Sequence, residues 1–135
     1  MATIRNEYLG DLRTRATHLK SGNALITDAP VDNQGKGEAF SPSDLVATAL
    51  GSCMLTLMGI AARTHGIEIE GTKLETTKVM GTDPRRIVRL DVSFTFPEGK
   101  SYSDKEKAIL EKAAVTCPVY YSLDPAIEKD IQFNW

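Results

Sequence analysis

The sequence predicts an α+β protein in which antiparallel sheets pack on one long central helix. Three observations predict it. Strand-like runs separated by turn residues fill both ends of the chain, a single uncharged stretch from Leu45 to Ala62 lies between them, and the elements follow the order β–β–β–α–β–β–α–β. The 135 residues suit one domain, 1–135, with little room for a second.

Ile4 to Tyr8 reads as a first strand, followed by a turn at Gly10-Asp11 and a second strand from Leu12 to Leu19. In that second run Arg13, Arg15 and Thr17 share one face. Lys20-Ser21-Gly22-Asn23 is a turn, and Ala24 to Thr27 a third strand. From Asp28 to Phe40 the chain is polar and broken by Pro30, Gly35 and Gly37, which predicts a loop. Ser41 then supplies an N-cap, Pro42 the first helical position and Asp44 the acidic member of a capping box. The helix continues to about His65 and stops at Gly66.

Ile67 to Met80 is extended in character, with a bend at Gly71. Val88, Leu90, Val92, Phe94 and Phe96 alternate with Arg89, Asp91, Ser93 and Thr95, the clearest strand pattern in the chain. Ser103 and Glu106 form a second capping box, and Ile109, Ala113 and Cys117 follow at helical spacing, widened by Leu110 and Ala114. Pro118 interrupts this helix. A short one from Val119 to about Ser122 and a closing strand at Ile131 to Phe133 complete the order.

Composition narrows the function. A net charge of −2 with scattered Lys and Arg provides no basic field for nucleic acid or anionic lipid. The uncharged stretch of about eighteen residues reaches the lower limit for a membrane span. Its Thr, Gly and Ser content and its charged flanks favour a buried helix instead. A chain this short has difficulty surrounding such a helix alone, so a partner subunit is expected to cover part of it. Two cysteines make no disulfide framework, and MATIRNEYLG lacks the apolar core of a secretion signal. The expected compartment is the reducing cytoplasm, where a disulfide is more often transient than structural.

Cys53 sits inside the uncharged helix after Gly51 and Ser52, small residues that leave room for a backbone or substrate beside the sulfur. Cys117 precedes Pro118, where it can cap the short helix and gain stabilisation of its thiolate. Either thiol could equally be a buried packing residue, and their separation of 64 positions forms no CxxC motif. His65 lies twelve residues from Cys53 on the same helix, roughly 18 Å along its axis, too far to serve as its base within one subunit. No metal-ligand spacing, GxSxG, GxGxxG or phosphate-binding loop is present, so neither metal nor cofactor is expected.

The segment Ser41-Pro42-Ser43-Asp44-Leu45-Val46-Ala47-Thr48-Ala49-Leu50-Gly51-Ser52-Cys53-Met54 resembles the hallmark of the OsmC/Ohr family, and Cys117-Pro118-Val119 resembles its second cysteine motif. With the Ser-Gly turn and Thr27-Asp28, the resemblance covers nearly the whole chain. It implies an intertwined homodimer with active sites shared between subunits, and a thiol-dependent reduction of organic hydroperoxides. Cys53 would become a sulfenic acid and condense with Cys117, and an external dithiol would reduce the disulfide. The assignment of Cys53 as the reactive thiol comes from the resemblance, since the capping position alone favours Cys117 as the more acidic one.

The resemblance also implies an arginine and a glutamate around the reactive thiol. Ser43 stands where members commonly have that glutamate, and Asp44 is the adjacent carboxylate. Arg13 and Arg15 are both candidate arginines, and spacing does not separate them. Leu50, Met54, Leu57 and Met58 are the expected apolar walls for a substrate. An alternative in another class is a small-molecule binding or redox-sensing module that keeps the dimeric pocket with little turnover.

Overall fold

A computed structural model describes Met1–Trp135, and the chain divides into two units, Met1–Val46 and Ala47–Trp135, each with its own three-stranded sheet. In the first unit β1 (Ile4–Gly10), β2 (Arg13–His18) and β3 (Ala24–Asp28) pair antiparallel in chain order. The first turn falls one residue later than the sequence suggests. Asp11 and Leu12 have φ of 53° and 61°, and successive left-handed residues match the twist of a hairpin. A leucine there costs about 1–2 kcal/mol relative to a right-handed conformation, a local penalty that no propensity pattern announces.

The second turn is held by Ser21, whose Oγ accepts the Asn23 backbone N–H at 3.2 Å and meets His18 Nδ1 at 2.6 Å. The expected loop then returns to the sheet, where the Asp28 N–H donates to the Phe40 carbonyl at 2.9 Å. Only Thr27, Asp28 and Ser41 are buried in this unit, none of them apolar.

Helix α1 (Pro42–His65) begins and ends on the signals present in its sequence. Ser41 Oγ accepts the Asp44 N–H at 3.1 Å, and Asp44 Oδ2 accepts the Ser41 N–H at 2.9 Å. At the other end Gly66 has φ of 66°, and the Ile67 N–H returns to the Ala62 carbonyl at 2.8 Å, as in a Schellman cap.

The second unit contains β4 (Lys73–Gly81), β5 (Arg86–Thr95), α2 (Asp104–Val115), α3 (Pro118–Ser122) and β6 (Glu128–Asn134). The extended run expected from Ile67 starts later. The Thr72 N–H and hydroxyl both donate to the Ile69 carbonyl around Gly71, whose φ is 90°, so a turn precedes β4. β4 and β5 are antiparallel as expected, whereas β6 joins β5 in parallel. The intervening α2 and α3 supply the long crossover that a parallel neighbour requires.

The core of this unit joins Leu50, Met54 and Met58 of α1 to Leu90, Val92 and Phe94 of β5 and to Leu110 and Ala114 of α2. The stripe of α2 is therefore centred on Leu110, Ala114 and Cys117, one residue round from the Ile109 and Ala113 positions read first. Phe96 and Trp135 stack with centroids 3.8 Å apart, and Trp135 Nε1 donates to Glu111 at 3.0 Å.

Both bonds of the α2 capping box form, Glu106 N–H to Ser103 Oγ at 3.1 Å and Ser103 N–H to Glu106 Oε1 at 2.9 Å. Ser103→Ala is expected to lower stability by about 1 kcal/mol. Urea titration should show an earlier midpoint at an unchanged slope, and a coincident curve would mean that the box contributes nothing.

Candidate active site

The second unit holds both cysteines, and both thiols are free. Ala47, Leu50, Gly51, Met54, Met58 and Ala62 form the buried stripe of α1, and Cys53 flanks it, half-buried and packed against the core. Leu50, Met54 and Met58 are 0% exposed, so three of the four side chains expected to line a pocket lie in the hydrophobic core itself. Leu57 is the one that retains surface. Gly51 has a definite neighbour: a Cβ there would stand 2.7 Å from Leu74 Cδ2 of β4. The space attributed to a passing backbone or substrate is thus taken by a leucine.

Cys117 caps α3, as its place before Pro118 predicts. Its Sγ accepts the Tyr120 backbone N–H at 3.2 Å, with φ and ψ of −82° and 145°. The cap was expected to make this thiol acidic, and burial overturns that. Cys117 is 0% exposed, and desolvation raises its pKa despite the opposing pull of the Tyr120 N–H. The neighbouring Cys53 raises it further. One cysteine is therefore buried and capped, and the other is half-buried.

The first unit holds both candidate arginines, in different surroundings. Arg15 pairs across the strands with Glu7 at 3.2 Å, and both side chains are largely exposed. Such a pair contributes little. Arg13 Nη2 reaches Asp28 Oδ2 at 3.4 Å and Glu38 Oε2 at 2.9 Å. Asp28 has a fully buried side chain whose Oδ2 also accepts the Glu38 N–H at 3.0 Å. That N–H, ahead of the Arg13 guanidinium, holds the carboxyl below the ordinary range against the effect of burial. Asp44, the carboxylate singled out in the sequence, is engaged in the α1 cap. Asp28 and Glu38 were missed as partners of Arg13. The spacing of Arg13 and Asp28 around the Ser-Gly turn was the available signal for the first, since two strands folded there bring them opposite each other.

The profile of the family described as OsmC-like protein matches residues 35–132. The chain belongs to the OsmC-like family. Among solved structures, it is similar to a protein from Psychrobacter arcticus 273-4 provisionally described as an osmotic stress induced and detoxification response protein. The identity is 52% and the TM-score 0.94, over 99% of this chain and 96% of that one. More distant likeness, which concerns the fold, extends to an organic hydroperoxide resistance protein OsmC from Legionella pneumophila, at 14% identity and TM-score 0.76 over 100% and 98% of the two chains. An organic hydroperoxide resistance protein from Elizabethkingia anophelis with thiocyanate bound gives 15% and 0.75 over 99% and 96%. No curated protein sequence matches significantly. The mixed architecture of two small sheets and a long helix is thus the OsmC-like fold.

The raised pKa of Cys117 has a consequence for stability. In the unfolded chain this thiol ionises first, so its contribution is complete below the ordinary thiol range and is lost as pH rises through the raised folded value. The reduced protein should lose stability as pH rises above the ordinary thiol range, about 8.5. Cys117→Ser, which keeps an acceptor for the Tyr120 N–H, should lose less over the same interval. Urea midpoints that decline in parallel would exclude this origin.

Proposed function

We propose that this OsmC-like protein reduces organic hydroperoxides, with Cys53 as the peroxidatic thiol and Cys117 as the resolving one. The observation that supports this most is the pairing of a half-buried cysteine with a neighbouring, fully buried one whose acidity burial suppresses. In this reading the half-buried cysteine is the one a peroxide reaches, and the protonated, enclosed one suits the second step.

The Cys53 thiolate attacks the distal peroxide oxygen. An S–O bond forms, the O–O bond breaks, and the departing alkoxide takes a proton to become the alcohol. Cys117 then attacks the sulfenic sulfur, the S–S bond forms and water leaves. An external dithiol reduces the disulfide by two exchange steps, returning both thiols. Arg13 or Arg15 supplies the cation that Cys53 lacks on its own helix, and the buried pairing of Arg13 favours it over the solvated Arg15. In this reading the protein works in the cytoplasm without a cofactor, and nucleic acid and membranes are not its partners.

The functional form is a homodimer with shared active sites. The first unit encloses no apolar side chain, and Ile4, Tyr8, Leu9, Leu25, Ile26 and Phe40 are exposed on the single chain. On α1, Thr48, Ser52, Thr56 and Ile60 form an open row at every fourth residue. A second copy covering these surfaces provides the burial that one chain of this length does not achieve.

Two outcomes are expected. Cys53→Ser abolishes consumption of cumene hydroperoxide, whereas Cys117→Ser supports a single turnover and leaves Cys53 oxidised, as followed by stopped flow with thiol counting. The opposite pattern would exchange the two roles. Sedimentation should give a species of about twice the 14.8 kDa chain mass that does not separate into folded monomers. A folded species at the single-chain mass would refute the dimer.

A further inference from the structure

We propose that Lys129 is a positioning residue for the second step of this reaction: its ammonium pins the Tyr120 ring of α3, and through Tyr120 it fixes the direction of the Cys117 sulfur for disulfide closure. The inference rests on the reading of the chain as a peroxidase that resolves through Cys117. All the groups it involves belong to the second unit.

Lys129 is out of place by the pattern of its own strand. Along β6 the exposed Glu128, Asp130, Gln132 and Asn134 alternate with the half-buried Lys129, Ile131 and Phe133. Ile131 and Phe133 pack against the core, and Lys129 stands in the same row, opposite the fully buried Leu90 of β5. A charge at such a position is costly unless it finds compensating partners. Lys129 has two of them. Its Nζ donates to the Ile127 carbonyl at 3.0 Å and lies 5.1 Å from the centroid of the Tyr120 ring. The carbonyl is two residues away in the chain and fixes the ammonium locally. The ring belongs to another element, and through it the ammonium acts at a distance in sequence.

Helix α3 needs such an anchor. Five residues are too few to hold a helix by backbone bonds alone, and none of the five is fully buried. Val119 and Tyr120 are packed against the core, whereas Pro118, Tyr121 and Ser122 are exposed. Tyr120 is also the residue whose N–H donates to Cys117 Sγ at 3.2 Å. One residue thus carries the hydrogen bond to the sulfur on its backbone and the contact with the ammonium on its ring. In resolution the Cys117 sulfur bonds to the sulfenic sulfur of Cys53, and the Cys117 proton and the sulfenic hydroxyl leave together as water. A reaction between two groups of one chain gains its rate from the geometry in which they are held. The bond from Tyr120 to the sulfur lasts only while Tyr120 keeps its place, and Lys129 is the group on β6 that keeps it there.

The test separates the two steps in the full-length reduced protein mixed with cumene hydroperoxide. Rapid quenching with dimedone reports the sulfenic acid of Cys53, and thiol counting reports the disulfide. Lys129→Gln keeps a donor for the Ile127 carbonyl and removes the charge. It should leave Cys53 oxidation within about twofold of the parent and slow disulfide closure at least about fivefold, so that the sulfenic acid accumulates. Lys129→Arg, which keeps a cation for the ring, should close the disulfide within about twofold of the parent. Tyr120→Leu keeps the N–H and loses the ring, and should slow closure as Lys129→Gln does. Adding Lys129→Gln to Tyr120→Leu should cost no more than about a further twofold, because the lysine acts through the tyrosine. Parent-like closure in Lys129→Gln would overturn the inference while leaving the peroxidase reading intact. So would an equal slowing of both steps, or a Lys129→Arg variant as slow as Lys129→Gln, since either marks a merely structural lysine. A parent protein that leaves the peroxide unreacted would remove the peroxidase reading itself, and the inference with it. Should Lys129→Gln fail to fold, Tyr120→Leu carries the test: slowed closure with unchanged Cys53 oxidation supports the inference, and parent-like closure refutes it.

Discussion

A helix with no charge from Leu45 to Ala62 must be enclosed, and much of the second unit follows from that demand. Leu50, Met54 and Met58 are sealed against β5 and α2, and Gly51 admits the Leu74 side chain of β4 close to the helix backbone. The opposite row is less polar than its residue types suggest. Thr56 Oγ1 donates to the Ser52 carbonyl at 2.8 Å, four residues back, and Thr64 does the same to Ile60 at 3.1 Å. A hydroxyl satisfied within its own helix enters an apolar contact at small cost.

The same enclosure decides the acidity of Cys117. A five-residue helix such as α3 has a short array of peptide dipoles, and its Tyr120 N–H is a single favourable interaction with the Cys117 sulfur. Removal of the whole side chain from water outweighs it, and the neighbouring Cys53 adds to the effect. The cap therefore acts chiefly on geometry: it fixes the direction of the sulfur without making it a thiolate. Arg13 and Asp28 show the complementary case, in which a buried acid keeps its charge because a backbone N–H and a guanidinium both point at it.

Local signals in the sequence were legible because they act over three or four residues. Ser41 with Asp44, Ser103 with Glu106, Gly66 and the cap at Cys117 all appear where the residue types place them. The alternation of β5 was equally plain, since one face is packed on a core. What failed depended on partners distant in sequence or on backbone strain. An alternating pattern is the same for parallel and antiparallel neighbours, so the direction of β6 was hidden until its crossover was placed. Leu12 adopts a left-handed conformation that its side chain disfavours. Arg13 and Arg15 look alike in sequence, and they differ because the partners of Arg13 lie 15 and 25 residues downstream. The acidity of Cys117 was misjudged because a capping position is visible in sequence and the depth of burial is not.

The closeness of Gly51 to Leu74 couples two positions separated by a turn and a change of secondary structure. A methyl group at 51 requires the Leu74 side chain to turn or shift away. Evolutionary drift at these sites is therefore correlated: a larger residue on the helix can be accepted only after, or together with, a smaller or re-oriented one on the strand. Sequence change near Cys53 is in this way channelled through a residue on β4.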